Sequence, residues 1–167
     1  MRELSFVTPT DPAWKRWLIA AIEDVSGRRK ILPLYLQWRK DYVGKSPHMM
    51  GDGLDLIDVD LKIYSKSPWP PKLPEDSGLV MIANHPFGIG DGVAALALAE
   101  QLGRPYRVLI NNDLLRVPEV RPYALPIDFS ESREAIEMNL RSRAEARRLL
   151  KEGVTIVIFP SGGVATA

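Results

Sequence analysis

The sequence predicts an α/β fold, with a mostly parallel sheet, helices on the faces of that sheet, and an N-terminal helical segment. From residue 79 onwards, continuous apolar runs of strand character alternate with longer helical stretches. This alternation favours parallel strands joined by right-handed crossovers. The composition agrees, because 46% apolar and 26% charged residues in 167 are near the averages for globular proteins.

The N-terminal segment is predicted to be helical. Asp11 and Pro12 are typical of a helix start, and the apolar spacing that follows predicts an amphipathic helix ending near Gly27. A second helix is predicted over 33–43. Alternating apolar and polar residues then predict a half-exposed strand over 59–64.

The remaining elements alternate between strand and helix. LVMIAN is a continuous apolar run, which is typical of a buried strand, and the helix after it should end at Gly103. Ser130 is the expected N-cap of the next helix, and Gly153 its end. The predicted elements are strands at 79–84, 106–111, 124–128 and 154–159, helices at 91–102 and 130–152, and a proline-punctuated connection at 112–123.

Two regions are predicted, an N-terminal helical segment at 1–58 and the first part of an α/β domain at 59–167. The last predicted strand lies close to the final residue, Ala167. We therefore expect an incomplete sheet, as in part of a longer protein. Its last apolar strand would leave an edge that can pair with another chain.

Composition and charge argue against several classes of protein and site. The chain has no cysteine, which excludes disulfides and thiolate metal sites and fits a reducing cytoplasm. Its net charge of +1 argues against a nucleic-acid partner. We expect no metal and no bound cofactor. No apolar stretch reaches the roughly 20 residues of a spanning helix.

The N-terminal segment also predicts a membrane contact. All four tryptophans lie at or before Trp69, among basic residues, a mixture that suits an anionic bilayer surface. Packing against the sheet is the alternative, and it is favoured for Trp17 and Trp38. The expected location is cytoplasmic, peripheral on the inner membrane surface.

The stretch VMIANHPFGIGDGVAA, at 80–95, carries the candidate chemistry. His85 and Asp91 bracket a glycine-rich turn between a strand and a helix, and a histidine beside a carboxylate suits general-base catalysis. Free amides at the start of the helix, near Gly90 to Val93, could bind an oxyanion. These features favour acyl transfer to a hydroxyl, although a structural histidine and a plain N-cap aspartate remain possible.

Loops after other strands should join this turn. Parallel sheets place their sites at the carboxyl ends of the strands, which brings in the segments 111–121 and 160–163. Arg116 and Arg121 suit phosphate binding, with solvent-exposed arginines as the alternative.

The string NHPFGIGDG resembles the N-H-P-x-G-x-x-D-G signature of a bacterial subgroup of glycerolipid acyltransferases, related to lysophosphatidate (PlsC-like) and hemolysin-type acyltransferases. Segments 111–128 and 153–163 resemble the second and third blocks of that family. The three blocks occur in the same order as in the family. The resemblance covers about two thirds of the chain, from Val59 to the last residue.

The resemblance implies a phospholipid-forming O-acyltransferase with His85 as general base and Asp91 as its partner. It implies an acyl-CoA or acyl carrier protein donor and a lipid acceptor, either a lysolipid or a compound like glycerol phosphate. The expected substrate-binding residues are Phe87, Gly88, Gly90, Arg116, Arg121, Pro160, Ser161 and Gly162.

Two departures from the family pattern concern the identity of the acceptor and the pairing of His85 with Asp91. Five residues separate His85 from Asp91, as in the N-H-P-x-G subgroup, where the broad family has four. Ser161 stands where many members have the Glu of F-P-E-G-x-R, and no Arg follows it. The acceptor therefore stays open.

Other functions are weaker alternatives. A dinucleotide-binding module would need glycine where Val93 stands. A serine hydrolase would need the first glycine of G-x-S-x-G before Ser161. An inactive partial chain is the third alternative.

Overall fold

The structure, a computed structural model, describes residues 28–74, 77–84 and 88–160. Its helices are α1 (Arg28–Asp41), α2 (Met49–Asp55), α3 (Ile89–Gln101) and α4 (Arg133–Lys151). Its strands are β1 (Leu79–Ile82), β2 (Tyr106–Asn111), β3 (Ala124–Ile127) and β4 (Thr155–Ile158). Two 3₁₀ helices, Asn112–Arg116 and Pro118–Tyr123, join β2 to β3.

The four strands form one open, parallel sheet in the order β1-β4-β2-β3. The predicted α/β class and parallel sheet are therefore confirmed. Leu79 is in register with Thr155, and Tyr106 with the same residue on the other side of β4. The strand that comes last in the sequence thus lies between the first two.

Helices cover both faces of the sheet. The crossovers through α3 and α4 run in opposite directions across it, so the right-handed rule places them on opposite faces. Alternate residues of β4 reflect this: Val157 packs with the alanines of α3, and Ile156 packs with Ala146 and Leu149 of α4. Both β4 residues are at most 2% exposed, so this strand is the centre of the core.

The predicted helices over 91–102 and 130–152 are confirmed within a few residues. Gly103 and Gly153 have φ of +64° and +80° and follow the helix ends, as expected for glycine. The predicted N-cap of α4, Ser130, is wrong. Ser132 takes that place and its Oγ accepts the N–H of Ala135 at 3.1 Å, because the chain first makes a turn in which the Ser130 N–H donates to Asp128.

The predicted strand over 59–64 is wrong. These residues form neither helix nor strand, and Tyr64 is 91% exposed. Leu61 alone of the alternating apolar set contacts the core. No described strand offers this segment a partner, and a strand needs one for its backbone hydrogen bonds.

The predicted burial of β1 is also wrong. Val80 is 44% exposed and Ile82 is 65% exposed. Among the described helices, α4 packs on β3 and β4 and does not extend over the same face of β1. Among the described strands, β1 pairs only with β4. β4 itself is buried as predicted.

The second predicted helix of the N-terminal segment is confirmed as α1, which begins earlier than expected and includes Pro33. The first, over 11–27, lies outside the described residues. α2 packs on α3, and the buried carboxylate of Glu100 on α3 accepts the N–H groups of Met50 and Gly51 at 3.1 and 3.3 Å. The described helices include none that combines the length and the apolar character needed to cross a bilayer.

Candidate active site

The candidate site lies at the carboxyl end of the sheet. All four strands run in the same direction, so the turns that follow them share that end. The turns after β1 and β4 are direct neighbours, because the Ala83 N–H donates to the Ile158 carbonyl at 3.1 Å. Pro160 lies in the exposed turn after β4. Ser161 and Gly162, expected beside it, lie outside the described residues.

The turn before α3 depends on one glycine. Gly88 is the N-cap and has φ +66° and ψ −126°, a conformation that is essentially restricted to glycine. Its carbonyl accepts the Gly92 N–H at 3.3 Å. Gly88 is half-buried, and the helix begins at the next residue, Ile89.

Gly90 and Gly92 have a different character. Both are helical, and a Cβ at either would have no neighbour within 4 Å. Neither backbone conformation nor crowding therefore requires glycine there. Open space beside the first turn of a helix is what a ligand needs to approach the backbone closely.

Asp91 is half-buried in the first turn of α3. A carboxylate is stabilised there by the positive end of the helix dipole. The first-turn amides without an acceptor inside the helix begin at Ile89 and Gly90. The oxyanion donors were expected near Gly90 to Val93. They shift toward Ile89 and Gly90, because the Gly92 N–H already donates to the Gly88 carbonyl. His85 and Phe87 lie outside the described residues.

Arg116 and Arg121 lie in the connection after β2, and both are exposed. Arg116 forms an ion pair with Asp113 at 3.3 Å. The Nε of Arg121 donates to the Leu115 carbonyl at 2.7 Å. Both guanidinium groups are exposed at this connection, and a guanidinium suits the binding of an anion.

Glu119 anchors the same connection, and sequence reasoning did not single it out. It is 8% exposed, accepts the Tyr35 hydroxyl at 2.7 Å and forms an ion pair with Arg39 at 2.8 Å. α1 therefore holds the loop of the two arginines in place. A glutamate in a polar, proline-rich loop carries no sequence signal of burial.

Asp128 follows β3 at the same end of the sheet. The backbone N–H and the hydroxyl of Ser130 lower the pKa of this carboxyl group, and the Asn112 side chain also contributes. Because Asn112 begins the connection after β2, this contact links the loops that follow β2 and β3. The described residues contain no group of three or more His, Asp or Glu side chains placed to bind a metal.

Comparison with known proteins identifies the family. The sequence model of the acyltransferase family matches residues 69–167, which is more than half of the chain. The chain belongs to the acyltransferase family. No match was found among curated proteins or among solved structures.

Membership makes the chain a transferase of acyl groups. The matched region of this acyltransferase contains β1, the turn before α3, both arginines and the turn after β4. The open first turn of α3 thus belongs to the part of the chain that the family shares. The predicted family is confirmed at this level.

Proposed function

We propose that this acyltransferase moves a fatty acyl group from a CoA or acyl carrier protein thioester to a hydroxyl of a lipid acceptor. The acceptor would be a lysolipid or a compound like glycerol phosphate, and the chain would belong to the PlsC-like, hemolysin-type subgroup. The observation that carries the proposal is the turn before α3. There the last residue of the NHPFG string is a glycine-only N-cap, and two uncrowded glycines and a half-buried aspartate follow it.

The proposed reaction uses His85 as base. Its imidazole takes the proton of the acceptor hydroxyl while that oxygen attacks the thioester carbonyl carbon. Asp91 orients the ring and stabilises the imidazolium. First-turn amides such as those of Ile89 and Gly90 stabilise the negative oxygen of the tetrahedral intermediate. The C–S bond then breaks, and the imidazolium returns its proton to the departing thiolate.

The remaining candidate residues would bind the substrates. Gly88, Gly90 and Phe87 would contact the reacting groups, as would Pro160, Ser161 and Gly162, which follow β4 in the sequence. Arg116 and Arg121 would bind a phosphate of the donor or acceptor, because a guanidinium can contact two phosphate oxygens. No resident cofactor takes part. A water-soluble donor and a lipid acceptor suit a peripheral protein on the cytoplasmic surface of the inner membrane.

Acceptor-dependent release of thiol from an acyl thioester tests the proposal. His85→Ala should lose about 10²- to 10⁴-fold in turnover, which is the usual contribution of a general base. Asp91→Asn should lose less, because the amide still orients the ring. His48→Ala, the chain's other histidine, is the matched control: it is exposed at the start of α2 and should keep wild-type turnover.

The pH dependence gives a second readout. Turnover should fall as the pH drops through an ordinary imidazole titration at about 6.5, because the protonated ring cannot act as base. Circular dichroism checks that each variant is folded. A folded His85→Ala protein that kept more than about a tenth of the wild-type rate would contradict the proposal. Free fatty acid released without an acceptor would indicate a hydrolase instead.

A further inference from the structure

The described tryptophans bind other parts of the same chain. The Trp38 indole N–H donates to the Met49 carbonyl at 2.5 Å, and the Trp69 indole N–H donates to Gln101 at 2.7 Å. Trp38 also packs against the core. This confirms the packing alternative for Trp38, and the indole N–H of each of these two rings has a partner within the chain.

α4 presents a different exposed surface. Its inward face is buried through Ala135, Ser142, Ala146 and Leu149. A second row, which we call the α4 strip, follows the three- and four-residue spacing of one helix face. The α4 strip consists of Ile136, Leu140, Arg143, Arg147 and Lys151, all exposed. Ile136 and Leu140 are 55% and 59% exposed, although both are large aliphatic residues.

The charged residues of α4 differ in whether they form ion pairs. In the described part of the chain, no ion pair involves the three basic residues of the α4 strip. Two other arginines of α4 are neutralised by nearby glutamates: Arg133 pairs with Glu137 at 3.4 Å, and Arg148 pairs with Glu145 at 2.5 Å and with Glu152. The α4 strip thus combines unpaired positive charge with bare aliphatic side chains and contains no acidic residue.

The position of the α4 strip relates it to the candidate site. α4 follows β3, so its first turns lie at the carboxyl end of the sheet. Ile136 and Leu140 are therefore nearest that end, and the basic residues lie farther along the helix. Phe129, in the loop that leads into α4, is 58% exposed. Exposed apolar side chains thus occur at the end of the sheet where a lipid acceptor would enter.

We propose that the α4 strip docks on an anionic lipid bilayer. The inference rests on the lipid acceptor of the proposed function. Ile136 and Leu140 enter the interfacial layer, and Arg143, Arg147 and Lys151 contact lipid phosphates, as in helices that lie on membrane surfaces. Charge complementarity selects the anionic surface. Bare aliphatic side chains at the site end favour a bilayer over an acidic protein.

Vesicle binding by the full chain tests the docking. Two strip variants, Arg143→Gln/Arg147→Gln and Ile136→Ser/Leu140→Ser, are compared with the control Arg141→Gln/Arg148→Gln, which changes net charge equally outside the α4 strip. The probes are phosphatidylcholine vesicles and phosphatidylcholine–phosphatidylglycerol vesicles. Each basic residue near an anionic surface contributes about fivefold to binding. The first variant should therefore lose roughly tenfold or more in affinity for anionic vesicles, and added salt should reduce this difference.

The aliphatic variant should lose affinity for both kinds of vesicle, while the control should bind like the wild type. Equal losses in the control and the charge variant would overturn the proposal, as would wild-type vesicle binding by both strip variants. Loss of binding to an acidic acyl carrier protein, with vesicle binding intact, would also overturn it. Turnover with a water-soluble donor and acceptor should be unchanged in the strip variants. Vesicle binding needs no turnover, so it still tests the α4 strip if the proposed reaction is wrong.

Discussion

At the residue scale, the glycines around the start of α3 differ in what they provide. Gly88 provides a backbone conformation, whereas Gly90 and Gly92 leave open space beside the helix. Gly88 has a positive φ, so Gly88→Ala introduces strain of about 1–3 kcal/mol and should lower both stability and turnover. Gly90→Ala meets neither strain nor a clash. It should leave stability unchanged or raise it by up to about 1 kcal/mol, because alanine favours the helix.

Gly90→Ala should nevertheless lower turnover, because its methyl group fills the space that the proposed substrate uses. Denaturant unfolding and acceptor-dependent thiol release measure the two effects. A Gly90→Ala protein that gains stability and keeps full kcat/KM would show that the reacting atoms do not approach this turn. Gly92→Ala, with equally open surroundings one residue beyond Asp91, is the comparison.

At the element scale, Glu100 connects α2 to α3. Its carboxylate accepts two backbone N–H groups of α2 and the Tyr106 hydroxyl at 3.3 Å. Burial raises its pKa above the ordinary 4.5 in spite of these bonds, which lower it, as does His48. The folded state thus keeps a proton that the unfolded chain has already lost.

The sign of the pH effect follows from that difference. The stability contribution of Glu100 is present below its ordinary pKa of 4.5 and is lost as the pH rises through the raised pKa. The free energy of unfolding should therefore fall over this range in the wild type relative to Glu100→Gln, which does not titrate. Urea unfolding of both proteins at several pH values measures the difference. Parallel curves would contradict a raised pKa.

Elements with a strong local signal could be predicted from the sequence. The boundaries of β2 were predicted without error, and Gly103 and Gly153 marked the ends of α3 and α4. The predictions of a strand over 59–64 and of a buried β1 were wrong for another reason. Alternation and apolarity describe a side chain's preference, whereas pairing and burial depend on which distant element covers it.

The candidate site, too, could be predicted from the sequence only in part. The string NHPFGIGDG indicated the turn, the carboxylate and the helix start, since glycines and caps act locally. Glu119 and its partners on α1 could not be predicted, because they meet through tertiary packing. The roles of His85 and Asp91 remain predictions.

At the scale of the whole molecule, we expect the exposed apolar side chains of β1 to favour self-association. Val80 and Ile82 expose aliphatic side chains on a strand whose only described partner is β4. Exposed apolar edge strands tend to pair with other chains. Val80→Lys and Ile82→Lys should therefore reduce concentration-dependent light scattering of the 167-residue chain. Tyr64→Lys, at a 91% exposed position outside the sheet, is the control. If all three substitutions changed the light scattering equally, β1 would not be the surface through which the chains associate.

The strand order also determines when the sheet can form during synthesis. β1 is the first of the described strands to leave the ribosome, yet the backbone of Leu79 pairs with Thr155, almost half of the chain later. β2 and β3 can pair with each other as soon as both have emerged, but β1 cannot join them until β4 arrives to fill the gap between them. The closing of such a long loop is slow. A nascent chain that pauses before Thr155 therefore holds β1 unpaired and open to chaperones or to neighbouring nascent chains.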